Sequence, residues 1–63
     1  MFPNLNAEQA RKNFTNAEVA NKLGLSRNSY ERKKNNGRFL MSECMMLCKL
    51  FERDFEYLFE TTT

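Results

Sequence analysis

The sequence predicts a single all-α domain built from five short helices. Apolar side chains recur at helical spacing, most densely over Met41–Phe51, and helix-capping residue types stand just before the helical segments. The third observation is length: 63 residues form one domain, which buries only roughly 60% of its unfolded surface. A compact helical core is one of the few ways to stabilise so small a domain, and six Phe and four Met supply apolar side chains for it.

The first helix is predicted over Leu5–Asn13. Asn4 is the expected N-cap after Pro3, because its side-chain oxygen can accept a hydrogen bond from an otherwise unpaired N–H of the first turn. Glu8 and Lys12 are four residues apart and are expected to form an ion pair. The residues expected to face the core are Phe2, Leu5, Ala10 and Phe14.

The second helix is predicted over Asn16–Leu23, and both its ends carry clear local signals. Thr15 and Glu18 match a capping box, in which each side chain accepts the backbone N–H of the other residue. Gly24 supplies the left-handed residue that ends a helix without steric cost. A tight turn is therefore expected between this helix and the next.

The third helix is expected to begin after Ser26, its N-cap, and to run to about Lys34. Tyr30 is its only large apolar residue, so its apolar stripe is narrow. One side must rest on the second helix, and the remaining surface must face water or a polar partner. The turn-forming residues Asn35–Gly37 are expected to end it.

The fourth helix is predicted over Met41–Phe51. It is apolar around most of its circumference, so we expect it to be central and its apolar side chains to belong to the core. Asp54 is the expected N-cap of a last helix over Phe55–Glu60, and Thr61–Thr63 are expected to fray. No repeat or linker divides the chain, which predicts one domain over residues 1–63.

Cys44 and Cys48 are four residues apart, which places both on one face of the fourth helix. This is not the spacing of a C-x-x-C redox motif, and two cysteines without any histidine cannot close a zinc site. We interpret them as small core residues, and a reactive or regulatory thiol is the alternative. The lack of a disulfide framework indicates a reducing cytoplasm.

Nothing in the sequence indicates an enzyme, a cofactor site or a membrane protein. There is no histidine, and no serine or cysteine stands beside a plausible base. The two glycines, Gly24 and Gly37, do not form a phosphate-binding loop. No apolar run approaches the roughly 18 residues of a membrane span, and the N-terminal residues lack the apolar centre of a signal peptide.

Positive and negative charges are separated along the chain. Residues 1–38 carry eight Lys and Arg against three Glu, whereas residues 39–63 carry two against five acidic residues. The N-terminal part is therefore suited to a polyanion. On charge alone, an ordinary solvated surface is an equally good interpretation, because such imbalances arise by chance in small proteins.

The third helix carries the residues that favour double-stranded DNA as a partner. In the major groove, Arg binds O6 and N7 of guanine, and Asn binds N6 and N7 of adenine. In a helix-turn-helix, here predicted over about residues 16–34, the first turn of the second helix enters that groove. The expected base contacts are Arg27, Asn28 and Arg32. The expected phosphate contacts are Asn16, Ser26, Ser29, Lys33, Lys34 and Arg38.

The segment Thr15–Arg32 resembles the helix-turn-helix of the Xre/Cro family of phage and bacterial repressors. Matching residues extend over nearly the whole chain: Leu5, Ala7, Arg11, Lys12, Thr15, Ala20, Leu23, Gly24, Leu25, Ser26, Arg27, Tyr30, Gly37, Phe39, Ser42, Glu43, Leu47, Tyr57, Leu58 and Phe59. The resemblance implies a compact five-helix domain like that of lambda repressor, sequence-specific operator binding as a transcription regulator, and a two-fold dimer. It also implies the three base contacts named above, and a bacterial cytoplasm or a phage-infected cell as the location.

Two positions depart from the family pattern. Asn16 stands where the family usually has a phosphate-binding Gln, and its shorter side chain predicts a lost or water-bridged contact. Leu40 stands where the family usually has a capping Thr. The fourth helix is then expected to start late, at Ser42, at a cost of about 1 kcal/mol for the lost cap.

The C-terminal part carries more apolar side chains than one short tail can bury. We therefore expect a homodimer contact, with packing inside one chain as the alternative. The residues concerned are Phe51, Phe55, Tyr57 and Phe59. Because a fold does not determine a function, the alternative to DNA binding is a phage-encoded protein-interaction module or inhibitor, with a regulatory or host protein as its partner.

Overall fold

The computed structural model describes residues 1–61, and within that range it contains five α-helices and no β-strand. The predicted all-α class is therefore confirmed. The expected fraying falls on Thr61, which follows the last helix, and on Thr62 and Thr63, which lie outside the described residues. The helices are α1 (Pro3–Arg11), α2 (Asn16–Leu23), α3 (Arg27–Asn36), α4 (Met41–Phe51) and α5 (Phe55–Leu58).

Helix α1 begins and ends two residues before its predicted bounds. Pro3 takes the first helical position, where its missing N–H costs no hydrogen bond and its fixed φ suits the helix. Phe2 is the N-cap residue and makes no side-chain cap. The prediction of Asn4 as the N-cap is wrong, because Asn4 lies inside the helix and its Nδ2 donates to the carbonyl oxygen of Tyr57 at 2.8 Å.

Glu8 joins α1 to the C-terminal part of the chain. It is 3% exposed, and its Oε2 accepts hydrogen bonds from Arg53 Nη1 at 3.0 Å and from the Tyr57 hydroxyl at 3.1 Å. The predicted pair of Glu8 with Lys12 is wrong, since Lys12 Nζ lies 3.7 Å from Glu52 Oε2. A buried carboxylate is costly unless its oxygens are bonded, so these contacts fix how α1 lies against the residues around α5.

Helix α2 and the turn after it form as predicted. The hydroxyl of Thr15 accepts the Glu18 N–H at 3.1 Å, and the Glu18 carboxylate accepts the Thr15 N–H at 2.8 Å. Gly24 ends the helix with a φ of 73°. The hydroxyl of Ser26 then accepts the Ser29 N–H at 3.1 Å and caps α3. Both helices are therefore capped on either side of the turn that joins them.

Helix α3 is longer than predicted. It continues two residues past Lys34, to Asn36, and Gly37 ends it with a φ of 74°. Asn36 is the last residue of the helix, and its Oδ1 accepts the N–H of Arg38 at 2.9 Å. The two extra residues add the exposed side chain of Asn35 to the surface of the helix.

The core lies among the helices and includes a residue from each end of the chain. Ala10 was expected in it but is exposed, because Leu5, Glu8 and Gln9 occupy the buried side of α1. Phe14 is partly buried against the core. The fully assembled apolar cluster consists of Phe2, Leu5, Val19, Ala20, Tyr30, Leu47, Phe51 and Leu58.

Helix α4 has its predicted bounds and begins at Met41 rather than late at Ser42. Leu40 has no side-chain group that can cap a helix. Glu43 supplies half of a capping box in its place, because its Oε1 accepts the Leu40 N–H at 2.9 Å. The lack of a capping side chain at Leu40 therefore does not shorten the helix.

The expectation that α4 is central is wrong on its outer side. Met41, Met45 and Met46 are 67%, 59% and 45% exposed, whereas Cys44 and Leu47 are buried. Five short helices are too few to surround one of their number, so a helix that is apolar on most sides leaves one side in water. Even so, none of the helices within residues 1–61 has the length and apolar character needed to cross a bilayer.

Helix α5 is shorter than predicted. Asp54 caps α5 as predicted, since its Oδ1 accepts the Tyr57 N–H at 3.1 Å, but the helix ends at Leu58 instead of Glu60.

Cys44 is buried and Cys48 is half-buried, and both are free thiols. Burial raises the pKa of both thiols, which keeps them protonated and weakly nucleophilic at neutral pH.

Candidate nucleic-acid interface

Tyr30 fixes the orientation of α3. Its side chain is fully buried, and its hydroxyl donates a hydrogen bond to Gln9 Oε1 at 2.7 Å. Burial raises the pKa of the Tyr30 hydroxyl, so the group stays protonated and keeps this role as donor. Because Tyr30 points inward, the opposite side of α3 faces solvent.

The side of α3 opposite Tyr30 carries Asn28, Arg32 and Asn35, all of which are exposed. A helix has about 3.6 residues per turn, so these three positions form one row along the axis. We call them the outer row. The structure therefore brings together two of the predicted base contacts, Asn28 and Arg32, and places the third, Arg27, outside the row, about 100° around the helix axis from Asn28.

Arg27 lies beside Glu31, one turn further along the helix. Its Nε is 3.5 Å from Glu31 Oε2, and its side chain remains 64% exposed. Exposed ion pairs of this kind contribute little to stability. Arg27 can therefore exchange Glu31 for a base or a phosphate, while Glu31 keeps a negative charge next to the outer row.

Asn16, a predicted phosphate contact, is bonded within the domain. Its Oδ1 accepts hydrogen bonds from Gln9 Nε2 and from Lys34 Nζ, both at 2.9 Å. Its Nδ2 donates to Glu31 Oε2 at 3.0 Å. The side chain thereby ties the first turn of α2 to α1 and α3, and three partners already use most of its hydrogen-bonding capacity.

Lys34, another predicted phosphate contact, belongs to the same polar cluster. Its Nζ also donates to Asn6 Oδ1 at 3.0 Å and lies 5.0 Å from the centre of the Tyr30 ring. Burial lowers the pKa of Lys34, and the nearby Glu31 carboxylate opposes that shift. The ammonium group therefore links three helices and is only partly open to an approaching phosphate.

Lys33 is held by Glu43. Its Nζ donates to both carboxylate oxygens, at 2.8 and 3.0 Å, and the Glu43 side chain is 8% exposed. Burial by itself raises the pKa of Glu43, but hydrogen bonds from Lys33 and from the Leu40 N–H outweigh it and leave that pKa below its ordinary value. The pair joins α3 to α4 and offsets the charge of Lys33.

The remaining predicted phosphate contacts lie at the two ends of α3. Ser26 is exposed and its hydroxyl donates to the Ser29 hydroxyl at 3.0 Å, whereas Ser29 is half-buried. Arg38 is exposed beyond the end of the helix, and its guanidinium has no ion-pair partner within residues 1–61. Ser26 and Arg38 are therefore the most accessible of the predicted phosphate contacts.

The four predicted dimer contacts do not form one exposed surface. Phe51 is 2% exposed, so it belongs to the core rather than to a contact surface. Phe59 is half-buried, with its ring edge-on to that of Phe2 at 5.3 Å between centroids, and Tyr57 is half-buried as well. Phe55, which is 50% exposed, is the member of the four that lies largely in solvent.

Apart from Met1, the large exposed apolar side chains of residues 1–61 lie on and beside α4. They belong to Leu40, Met41, Met45, Met46 and Phe55. We call this group the α4 face. Met41, Met45 and Phe55 border an open apolar hollow of about 370 Å³, with Lys49 at its edge. Single apolar residues are ordinary on a protein surface, but large ones that border one hollow, as Met41, Met45 and Phe55 do, are typical of a contact with another protein.

Two features of the α3 surface were not predicted. Asn35 joins the outer row, and its spacing from Asn28 and Arg32 is a helical signal that the turn-forming Asn35–Gly37 obscured. The hydrogen bond between Asn16 and Glu31 joins residues 15 positions apart, so no local pattern indicates it.

Comparisons of the chain with models of protein families, with curated proteins and with solved structures give no match. The resemblance to the Xre/Cro family therefore rests on the residues themselves, and DNA binding stays a prediction. The geometry adds a helix with one buried anchor and an exposed row of two asparagines and an arginine.

Proposed function

We propose that the protein is a sequence-specific DNA-binding regulator and that α3 enters the major groove. The observation that carries the proposal is the outward side of α3, where Asn28 and Arg32 are exposed while Tyr30 anchors the inward side. A reading helix needs both features: side chains that reach base edges, and a rigid attachment that holds them in one orientation.

In this proposal α2, the turn at Gly24 and α3 form the helix-turn-helix of a repressor-like domain. Helix α2 crosses the sugar-phosphate backbone, and α3 lies in the groove. Asn28 is assigned to adenine, and Arg27 and Arg32 are assigned to guanine, because each side chain makes two hydrogen bonds with that base. The capping box of α2 and the cap of α3 support the proposal, since they hold the turn between the helices.

Phosphate contacts are assigned to the accessible groups. Ser26 and Arg38 lie at opposite ends of α3, where contacts to the backbone fix the position of the helix along the groove. Lys33 and Lys34 contribute positive potential more than direct contacts, because each ammonium group already has partners in the domain. Asn16 acts through Lys34 and Glu31, which it holds in place.

Selection of bound sequences from random double-stranded DNA, repeated over a salt series, tests the proposal. The expected result is a preferred motif whose affinity falls as salt rises, because phosphate contacts release counterions. Equal affinity for all sequences at every salt concentration would contradict it. The absence of any binding at low salt would also exclude the general affinity for DNA.

We propose further that the protein binds DNA as a two-fold dimer in which the α4 face contacts the same face of a second copy. The α4 face combines the protruding side chains of Met41 and Phe55 with the hollow between them. A surface that offers both a ridge and a hollow is suited to pairing with itself about a two-fold axis. The operator is then expected to be palindromic, with half-sites about 34 Å apart, one turn of DNA.

The same face favours a second candidate function, in which the chain is a protein-interaction module or inhibitor. Its partner is then a regulatory or host protein whose apolar surface covers Met41, Met45 and Phe55. Two measurements separate the candidates: the motif selected from random DNA and the mass of the protein in solution. A palindromic motif bound by a dimer supports the first. A monomer without sequence preference that forms a stable complex with a host protein supports the second.

A further inference from the structure

We propose that Asn35 is a further base-reading residue, so that the base-reading surface of α3 extends beyond Arg32 to the last turn of the helix. The inference rests on the proposed DNA-binding function. Its basis is the length of α3, which runs to Asn36 and so places Asn35 inside the helix with its side chain in solvent.

The spacing of the outer row matches the spacing of base pairs. At about 1.5 Å of rise per residue, Asn28 and Asn35 stand about 10.5 Å apart along the helix axis. Successive bases of one strand are about 3.4 Å apart. A helix that lies along the groove therefore brings the two asparagines to base pairs about three steps apart, with Arg32 between them.

The side chain of Asn35 is exposed and forms no hydrogen bond or ion pair within residues 1–61. Asn36, and not Asn35, supplies the oxygen that accepts the Arg38 N–H at the end of the helix. By contrast, the neighbouring Lys33 and Lys34 are both bonded to groups on other elements. The amide of Asn35 is thus exposed on the same side of α3 as Asn28 and Arg32, where it also borders a polar hollow with Glu31 and Lys34.

The chemistry of the row specifies the class of sequence that it fits. The amide of an asparagine accepts from adenine N6 and donates to adenine N7, and an arginine donates to guanine O6 and N7. Another base leaves at least one of these groups without a partner, which costs affinity. The expected half-site therefore has a G·C pair between two A·T pairs that are about three base pairs apart.

Selection from random DNA with three alanine variants tests the inference. Asn35→Ala is expected to lower the preference at one A·T position by about tenfold, and Asn28→Ala to do the same at a position about three base pairs away. Asn21→Ala is the matched control, because Asn21 is an exposed asparagine of α2 outside the outer row. This control is expected to keep the full motif.

The outcomes separate the inference from the function on which it rests. An unchanged motif for Asn35→Ala, together with a relaxed motif for Asn28→Ala, would overturn the inference and leave the proposed function standing. No motif for the unsubstituted protein would overturn both. Alanine favours a helix more than asparagine does, so Asn35→Ala is expected to keep its circular dichroism spectrum and its unfolding midpoint.

Discussion

In the proposed function, Arg32 is the residue on which direct readout is expected to depend most, because a guanine contact from arginine is the commonest specific contact in the major groove. We expect Arg32→Ala to lower the discrimination between the preferred sequence and its single-base variants by about 1–3 kcal/mol. Competition binding at fixed salt measures this difference. Arg32 is exposed, so its removal is expected to leave the stability of the domain nearly unchanged.

Arg11→Ala is the matched control for Arg32→Ala. Arg11 is 68% exposed on α1 and lies 3.6 Å from Glu8, so its loss removes the same charge without touching the outer row. It is expected to weaken binding to all sequences by a similar small factor. If Arg32→Ala behaves in the same way as Arg11→Ala, then Arg32 contacts phosphate and does not read a base.

Glu43 makes the stability of the domain depend on pH. Its pKa is lower in the folded protein than its ordinary value of 4.5, so the unfolded chain binds the proton more tightly. The stabilisation is therefore complete above that ordinary value and is lost as the pH falls through the lower, folded value. Urea unfolding is expected to show a falling free energy of unfolding as the pH drops below about 4.5.

Glu43→Gln is expected to remove this component of the acid dependence. At neutral pH it leaves Lys33 without its partner and lowers the free energy of unfolding by about 2 kcal/mol, less than for a fully buried pair, because Lys33 can turn towards water. Glu60→Gln, an exposed carboxyl beyond α5, is the control and is expected to change neither quantity. An acid dependence as steep in Glu43→Gln as in the unsubstituted protein would assign it to another group.

Three helices end in a left-handed residue, which is a glycine in α2 and α3 and a glutamate in α4. Helix α2 ends at Gly24 with a φ of 73°, and α4 ends at Glu52 with a φ of 55°. That conformation costs roughly 1–2 kcal/mol for a residue with a Cβ atom. We therefore expect Glu52→Gly to raise the free energy of unfolding by about 1 kcal/mol and Gly24→Ala to lower it by about 1 kcal/mol.

Equilibrium unfolding of the two variants checks these opposite signs. A Cβ atom at Gly24 meets nothing within 4 Å, so the expected loss there comes from the backbone alone. The ion pair of Glu52 with Lys12 is no obstacle, because Glu52 is 81% exposed and such pairs contribute little. Gly24→Asn is expected to cost less than Gly24→Ala, since asparagine tolerates the left-handed region. A change of the same sign in Glu52→Gly and Gly24→Ala would contradict the argument.

The elements that the sequence predicts well are those whose signals lie within one helical turn. The box of Thr15 and Glu18, the turn at Gly24 and the caps Ser26 and Asp54 all combine residues at most three positions apart, and all four are present in the structure. Local hydrogen bonds decide these features, so tertiary contacts confirm them without having to create them.

The features that the sequence does not predict depend on distant partners. The local sequence favours Asn4 as an N-cap, but its amide donates to the carbonyl oxygen of Tyr57, 53 positions away. The local sequence favours Lys33 as a phosphate contact, but its ammonium group donates to Glu43 on the next helix. For the candidate site, the exposed positions of α3 follow from local spacing, whereas the partners of Asn16 do not.

The excess positive charge and most of the exposed apolar side chains lie in different parts of the chain. Residues 1–38 carry the excess of positive charge and contain α3, while residues 39–63 carry the excess of negative charge and contain Met41, Met45 and Met46, three of the four exposed methionines. A dimer contact through α4 therefore leaves the basic part of each subunit free for DNA. A contact through α3 would bury the polar outer row without partners for it.

Met45 is the position that tests this arrangement, because it is 59% exposed and belongs to the α4 face. Met45→Glu places a carboxylate that stays hydrated in the monomer but loses its water in a dimer. We expect the unsubstituted protein to sediment as a dimer and Met45→Glu to sediment as a monomer with an unchanged circular dichroism spectrum. Asn21→Glu adds the same charge on α2 and is expected to leave the dimer intact.

The Met45→Glu monomer should bind a single half-site as well as the parent does, but lose the extra affinity for a palindrome that comes from joining two half-sites. A parent protein that is monomeric at every concentration, or a Met45→Glu variant that dimerises equally well, would exclude the α4 face as the dimer contact.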